Sequence, residues 1–256
     1  MELWHSIILG IVEGITEFLP ISSTGHLMLA SHLLGIPNVE FAKSFEIIIQ
    51  LGAVLAVVAL YPKRLLMEKS TIMRVSAAFL PTALLGLACY GIIKKYLLGN
   101  LSIVVFSLFL GGIAIILFET YWKSKSEKTI GELSYKESAI IGLLQTVAFI
   151  PGVSRSAMTI FGGMWVGLSR KEAVEFSFFL AVPTMAAATG LDILKNYHLI
   201  LSAGNFHLLG VGFLVSFVTA AVAIKVLLRY VSQNNFVLFG VYRIIIALIF
   251  MQVFIF

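Results

Sequence analysis

The sequence predicts an all-α integral membrane protein: six transmembrane helices plus two re-entrant helix pairs, built as an inverted-topology internal repeat. Three observations predict it. Hydrophobic residues make up 59% of the 256 and charged residues only 12%, with a mean hydropathy of +1.01; a soluble domain covers its surface with about 25% charged residues. Two apolar segments, each broken by a proline, match one another. Lysines and arginines crowd into alternate loops.

The first element, near 5–35, contains Glu13-Gly-Ile-Thr-Glu17-Phe-Leu-Pro20-Ile-Ser22-Ser23-Thr24-Gly25-His26. Pro20 removes a backbone donor and ends the preceding helix. Each half is then too short to cross about 30 Å of hydrocarbon. A hairpin that enters and leaves on one side fits, with protein or water satisfying its backbone. Apolar runs near 42–61, 74–94 and 101–121 read as full spans. The second broken segment, 138–168, carries Pro151-Gly152-Val-Ser154-Arg155-Ser156, and runs near 172–190, 207–230 and 234–256 follow.

Residues 1–130 and 131–256 thus read as two copies of one unit, together a single membrane domain. Ser23 aligns with Ser154, Ala42 with Ala173, Phe45 with Phe176 and Ala56 with Ala187, all 131 apart. Upstream of the prolines Glu13 matches Gln145, 132 apart, so the second copy lacks one residue. Three crossings per unit is odd, so the second unit is inverted. With the N-terminus outside, the inside loops hold Lys63, Arg64, Lys69, Arg74, Lys123, Lys125, Lys128, Lys136, Arg170, Lys171, Lys225 and Arg229. The outside loops hold only Lys43, Lys94, Lys95 and Lys195. The positive-inside rule therefore places both termini outside.

The net charge of +5 sits in short loops and is not a nucleic-acid signature. Cys89 stands alone in an apolar run and forms no intrachain disulfide. The first residues lack a basic n-region, so no cleavable signal peptide is expected.

Ionisable groups in apolar segments mark a functional site by default. Glu13 and Glu17, four apart, share a helix face; they require a cation, a proton or a basic partner, or else form a polar stripe against a neighbouring helix. Hard divalent cations bridge carboxylates to phosphates. Ser22, Ser23 and Thr24 read as a helix start, where free N–H groups favour phosphate. Ser23 and His26, three apart, set a hydroxyl beside an imidazole, a pairing that suits nucleophilic or general acid–base work; simple capping is the plainer alternative. Arg155, between Ser154 and Ser156, matches phosphate oxygens bidentately. A cation at a helix N-terminus needs an anion nearby, either substrate or Glu13 or Glu17. Glu46, Glu175 and Arg243 are expected to form structural ion pairs. Glu119 and Glu172, near span ends, are expected to face headgroups.

The two motifs closely resemble the signatures of the undecaprenyl-diphosphate phosphatase family linked to bacitracin resistance. The likeness runs the full length, including Phe45-Glu46 and Gln50-Leu51-Gly52. One departure is Ala157, where the family usually carries Gly; it removes no reactive group. The resemblance implies a phosphoric anhydride hydrolase that converts undecaprenyl diphosphate to the monophosphate carrier of peptidoglycan synthesis. It implies a divalent cation, Mg2+ or Ca2+, on Glu13 and Glu17. It also implies catalytic roles for Glu17, Ser23, His26 and Arg155, with Ser22, Thr24, Ser154, Ser156 and Thr159 binding substrate. The expected setting is the bacterial plasma (inner) membrane, with the site facing the periplasm or cell exterior. The partners are the polyprenyl diphosphate lipid and the bilayer, with no nucleic acid; a homo-oligomer stays open. The type-2 phosphatidic acid phosphatases are excluded, because their final histidine position is Phe161 here. The competing class is a transporter or flippase of an anionic polyprenyl-phosphate lipid, whose broken helices bind anions in the same way.

Overall fold

The computed structural model describes residues 1–37, 39–92, 100–122, 127–202 and 206–254. Lys94, Lys95, Lys123 and Lys125 of the charge pattern lie outside the described residues, as do the ends of the runs expected at 74–94 and 234–256. Among the described residues the chain is helical, with a single isolated bridge between Lys128 and Leu168. In chain order the helices are α1 (Leu3–Thr16), α2 (Ser23–Leu33), α3 (Glu40–Leu60), α4 (Pro62–Leu66), α5 (Lys69–Ile92), α6 (Leu101–Tyr121), α7 (Tyr135–Gln145), α8 (Arg155–Trp165), α9 (Arg170–Ser202), α10 (Phe206–Val231) and α11 (Val237–Phe254).

Five of them, α3, α5, α6, α9 and α10, are long and apolar enough to cross a membrane. The chain is therefore a multi-pass membrane protein. The sixth expected span differs. It was read from residue 234, but α11 starts only at Val237, whose N–H is taken by the Asn235 side chain. Its 18 residues run to Phe254, where the described residues end, and it is shorter than the five long spans. Leu84, Leu87, Leu110, Leu117, Val218 and Val222 lie exposed along α5, α6 and α10, the surface a lipid-facing helix presents.

Both broken segments form short helices joined by tight turns. The α1, α2, α7 and α8 helices have 14, 11, 11 and 11 residues. Their breaks end alike. Ser22 (φ 72°) and Ser154 (φ 82°) are the only non-glycine residues with positive φ among the described residues, and each is the N-cap of the helix that follows. Ser22 Oγ accepts from the Gly25 N–H at 3.4 Å and Ser154 Oγ from the Ala157 N–H at 3.1 Å. This corrects the register read from sequence. The backbone pairs Ser22 with Ser154, so Ser23 is the counterpart of Arg155. The offset of 132 seen at Glu13 and Gln145 thus continues to Ser22 and Ser154, and the one-residue difference lies beyond them, before Ala42 and Ala173.

The packing exchanges between halves. The α1 helix packs on α10, while α7 packs on α5; α3 packs on α9, and α6 on α11. Glycines set the closest approaches. A Cβ on Gly142 of α7 would lie 1.8 Å from the Ala78 carbonyl oxygen of α5, and one on Gly10 of α1 would lie 2.7 Å from the Gly212 carbonyl oxygen of α10.

Charged groups gather where α4, the ends of α6 and the starts of α7 and α9 meet. Arg64 pairs with Glu175 and Glu172, Arg170 with Glu119 at 2.6 Å, and Lys128 with Glu137 at 2.6 Å. Glu119 and Glu172 are thus ion-paired rather than turned to headgroups. Lys128, together with the Ser134 backbone N–H, pulls the Glu137 carboxyl down to about 2.

Candidate active site

The two breaks meet around a cavity of about 210 Å³. Its walls include Glu17, Ser22, Ser23 and Thr24 from the first break and Gln145, Ser154, Arg155 and Ser156 from the second, with Gln50 of α3, Thr82 of α5 and Thr184 of α9. The helix starts bring unpaired backbone N–H groups and partial positive charge to this space.

Glu17 joins the halves. Its Oε1 accepts from Arg155 Nη2 at 2.6 Å and its Oε2 from Ser23 Oγ at 2.5 Å. The Ser23 hydroxyl is thereby aimed at a carboxylate, which is a base in reach of its proton. Arg155 Nη1 donates to the Ser177 carbonyl at 2.9 Å, and Nε is buried without a partner. An unpartnered buried guanidinium N–H is an open donor for an anion. Ser156 Oγ donates to the Leu19 carbonyl at 2.7 Å, tying the start of α8 to the first break. Ser154 Oγ and Ser156 Oγ lie 3.0 Å apart.

Three residues singled out from sequence do not line the cavity. Glu13 lies one turn before Glu17, fully buried, with neither carboxylate oxygen partnered among the described residues. Isolated, such a carboxylate is costly. Two carboxylates one helical turn apart, one with both oxygens free, are an oxygen donor set that suits a hard divalent cation. Thr159 Oγ1 donates to Ser177 Oγ at 2.7 Å, behind the carbonyl that holds Arg155. His26 is not hydrogen-bonded to Ser23. Its Nδ1 lies 2.8 Å from the Ser22 carbonyl and its Nε2 2.9 Å from the Tyr242 hydroxyl. A carbonyl only accepts, so Nδ1 carries the proton; in the neutral ring Nε2 then accepts from Tyr242.

The strained serines are held from below. Arg243 of α11 is fully buried and donates to five main-chain carbonyls. Its partners are Pro20 (3.2 Å), Gly152 (2.8 Å), Val153 (3.0 Å), Ser107 (3.0 Å) and Leu108 (3.3 Å). The expected ion pair is absent among the described residues: the guanidinium serves the carbonyls of both breaks instead. A positive-φ serine costs about 1–3 kcal/mol and persists where its surroundings fix it; Arg243 is that fixture. Of the other expected pairs, Glu175 has Arg64 and Glu46 accepts from Ser31 Oγ at 2.7 Å.

Comparison with known proteins now adds to the geometry. Residues 6–249 match the family described as bacitracin resistance protein BacA. The chain belongs to the BacA family. A relative from Aquifex aeolicus is 48% identical over the whole of both chains. Relatives from Wolinella succinogenes and a Sulfurihydrogenibium species are each 50% identical over 98% of both chains. All three bear the name undecaprenyl-diphosphatase. In this BacA-family chain, sequence reasoning missed Thr82, Thr184, Ser177 and Tyr242. Single hydroxyls in long apolar helices carry no motif. The repeat pointed towards the two threonines alone, by matching Glu13 with Gln145, which binds Thr82 and Thr184.

Proposed function

We infer that this chain is an undecaprenyl-diphosphate phosphatase. It hydrolyses the diphosphate to undecaprenyl phosphate and inorganic phosphate, recycling the lipid carrier of peptidoglycan synthesis. Full-length relatives of that name give the reaction. The observation that carries the site is Glu17 bridging Ser23 and Arg155 across the two breaks.

The diphosphate enters between the two helix starts. Arg155 Nε and the N–H groups of Ser23, Thr24 and Ser156 meet its oxygens. As a phosphate takes the place of Glu17 on Arg155, the carboxylate keeps its hydrogen bond to Ser23. Ser23 then attacks the terminal phosphorus as its proton passes to Glu17, and the polyprenyl phosphate leaves. Attack by water on the same phosphorus uses the same groups. His26, fixed on Ser22 and Tyr242, holds the strained turn that presents Ser23. Mg2+ or Ca2+, held by Glu13 and Glu17, supplies charge neutralisation to the diphosphate when bound.

The architecture belongs to the same reading: six crossings, two re-entrant pairs, and copies 1–130 and 131–256 in opposite orientation. The exchange of packing partners and the paired serine caps support the repeat. Clustering of Arg64, Lys128 and Arg170 at one end supports a cytoplasmic face there. The cavity then opens to the periplasm or cell exterior. Phosphate release from undecaprenyl diphosphate by purified protein in detergent tests the activity. A lipid flippase releases none. Labelling cysteines placed at Lys69 and Lys128, in a Cys89→Ala background, tests the topology. Reaction from outside intact cells overturns it.

A further inference from the structure

Among the described residues, two polar atoms in the cavity wall are buried without partners, and they are of opposite kinds. One is the donor Arg155 Nε; the other is the acceptor Gln145 Oε1. Gln145 is 1% exposed. Its amide cannot turn over. Nε2 donates to Thr82 Oγ1 at 2.9 Å and to Thr184 Oγ1 at 3.3 Å. Both threonine protons are already committed, Thr82 to the Gly142 carbonyl at 2.8 Å and Thr184 to the Leu180 carbonyl at 2.7 Å. The threonine oxygens therefore only accept, and the amide must present NH₂ to them and its oxygen elsewhere.

A diphosphate does not satisfy that oxygen. Its terminal group is largely ionised at neutral pH and offers acceptors, which a carbonyl oxygen repels. A small donor is required. A buried polar site of this kind takes a water, and hydrolysis of a phosphate needs one. We propose that Gln145 positions the water that attacks phosphorus, its Oε1 accepting one of the water's hydrogens. Glutamine orients attacking water in some GTP hydrolases in the same sense. A neutral acceptor suits the place, since a second carboxylate there would oppose the diphosphate. The first copy carries Glu13 at the matching position, so the pair has diverged into a charged and an uncharged partner.

The inference rests on the phosphatase reading. An amide is no base, so the proton must go to another group. In direct attack the water oxygen bonds to phosphorus, the anhydride P–O bond breaks towards the polyprenyl phosphate, and the water proton passes to Glu17. After serine attack, water bonds to phosphorus as the Ser23 Oγ–P bond breaks. The leaving polyprenyl phosphate takes the first proton from Glu17, and the water proton then reaches Oγ through the freed carboxylate and restores the hydroxyl.

The test is Gln145→Met, which keeps length and removes the acceptor, assayed with undecaprenyl diphosphate beside the unsubstituted protein. We expect kcat to fall about 10²-fold, the scale of a lost positioning contact, with KM unmoved and the same divalent-ion dependence. An unchanged kcat overturns the proposal. So does a raised KM at constant kcat, which makes Gln145 a substrate contact, or a raised divalent-ion requirement, which makes it a metal ligand. Thr82→Val with Thr184→Val frees the amide without touching Gln145 and reads the same role if Gln145→Met does not accumulate. Its kcat should fall about 10-fold, and full kcat overturns the proposal. If the unsubstituted protein itself releases no phosphate, the phosphatase reading fails instead.

Discussion

The first and second breaks share a backbone and divide the chemistry. Each has a proline, a tight turn and a positive-φ serine that caps the next helix. After that cap the first break places Ser23 and the second Arg155. Before it, the first carries Glu13 and Glu17 and the second Gln145. One half carries carboxylates and a hydroxyl; the other carries a guanidinium and an amide. Neither half alone balances charge in an apolar surrounding, where an unpaired ion is costly. The two helix starts thus bring a carboxylate from one half and a permanent cation from the other to one cavity.

The largest effect should come from exchanging the charges. Glu17→Arg with Arg155→Glu keeps an ion pair across the breaks but moves the carboxylate away from Ser23. The protein should remain monodisperse in detergent, and phosphate release should fall by about 10³-fold or more, the loss of base and anion clamp together. Arg155→Lys alone should also lose most activity, because a point charge does not replace the planar fork. Near-normal turnover by the exchanged pair would mean that the halves are interchangeable, and by Arg155→Lys that Arg155 is a generic counter-ion.

Next is Ser23→Ala. If serine attacks, turnover drops to near background while substrate still binds, and rapid quench of the unsubstituted protein traps phosphoserine at position 23. Substantial turnover by the variant leaves water as the attacking group. Glu13→Gln should be milder. The divalent-ion concentration for half activity should rise, and excess chelator should abolish phosphate release by the unsubstituted protein. Full activity in chelator would return Glu13 to a structural role.

Stability sharpens the comparison further. Gly142→Ala drives a methyl into the α5 backbone and should cost about 1–3 kcal/mol, seen as a lower Tm in detergent. Gly190→Ala meets nothing within 4 Å and should be neutral or slightly stabilising. The smallest expected effect is Ser154→Gly. Glycine relieves the positive φ while losing the cap bond, so the two changes should nearly cancel, within a few tenths of a kcal/mol. A large loss there would mean that the Ser154 hydroxyl binds more than its own helix start.

Much of this was legible in the sequence because proline and charge are loud signals in an apolar chain. Pro20 and Pro151 mark the breaks, and Glu17 and Arg155 are conspicuous where few residues ionise. The Glu17–Arg155 pairing was among the stated alternatives. What escaped was the reach of side chains across the fold. His26 meets Tyr242, 216 positions away, and helical spacing alone put it beside Ser23. A carboxylate is the expected partner of Arg243, yet main-chain carbonyls take that place, three at the two breaks and two within α6. The Ser22–Ser154 equivalence depends on φ, which a string of letters does not record.

The Arg243 clasp has a consequence for biogenesis. A chain is made from its N-terminus, so the turns at Pro20 and Gly152 exist before the residue that holds them has been translated. Until α11 is threaded in, their carbonyls lack this donor and the two helix starts have no common anchor. The phosphatase is therefore assembled as a late event. A chain released before α11 would carry Glu17, Ser23 and Arg155 without the guanidinium that joins their two turns.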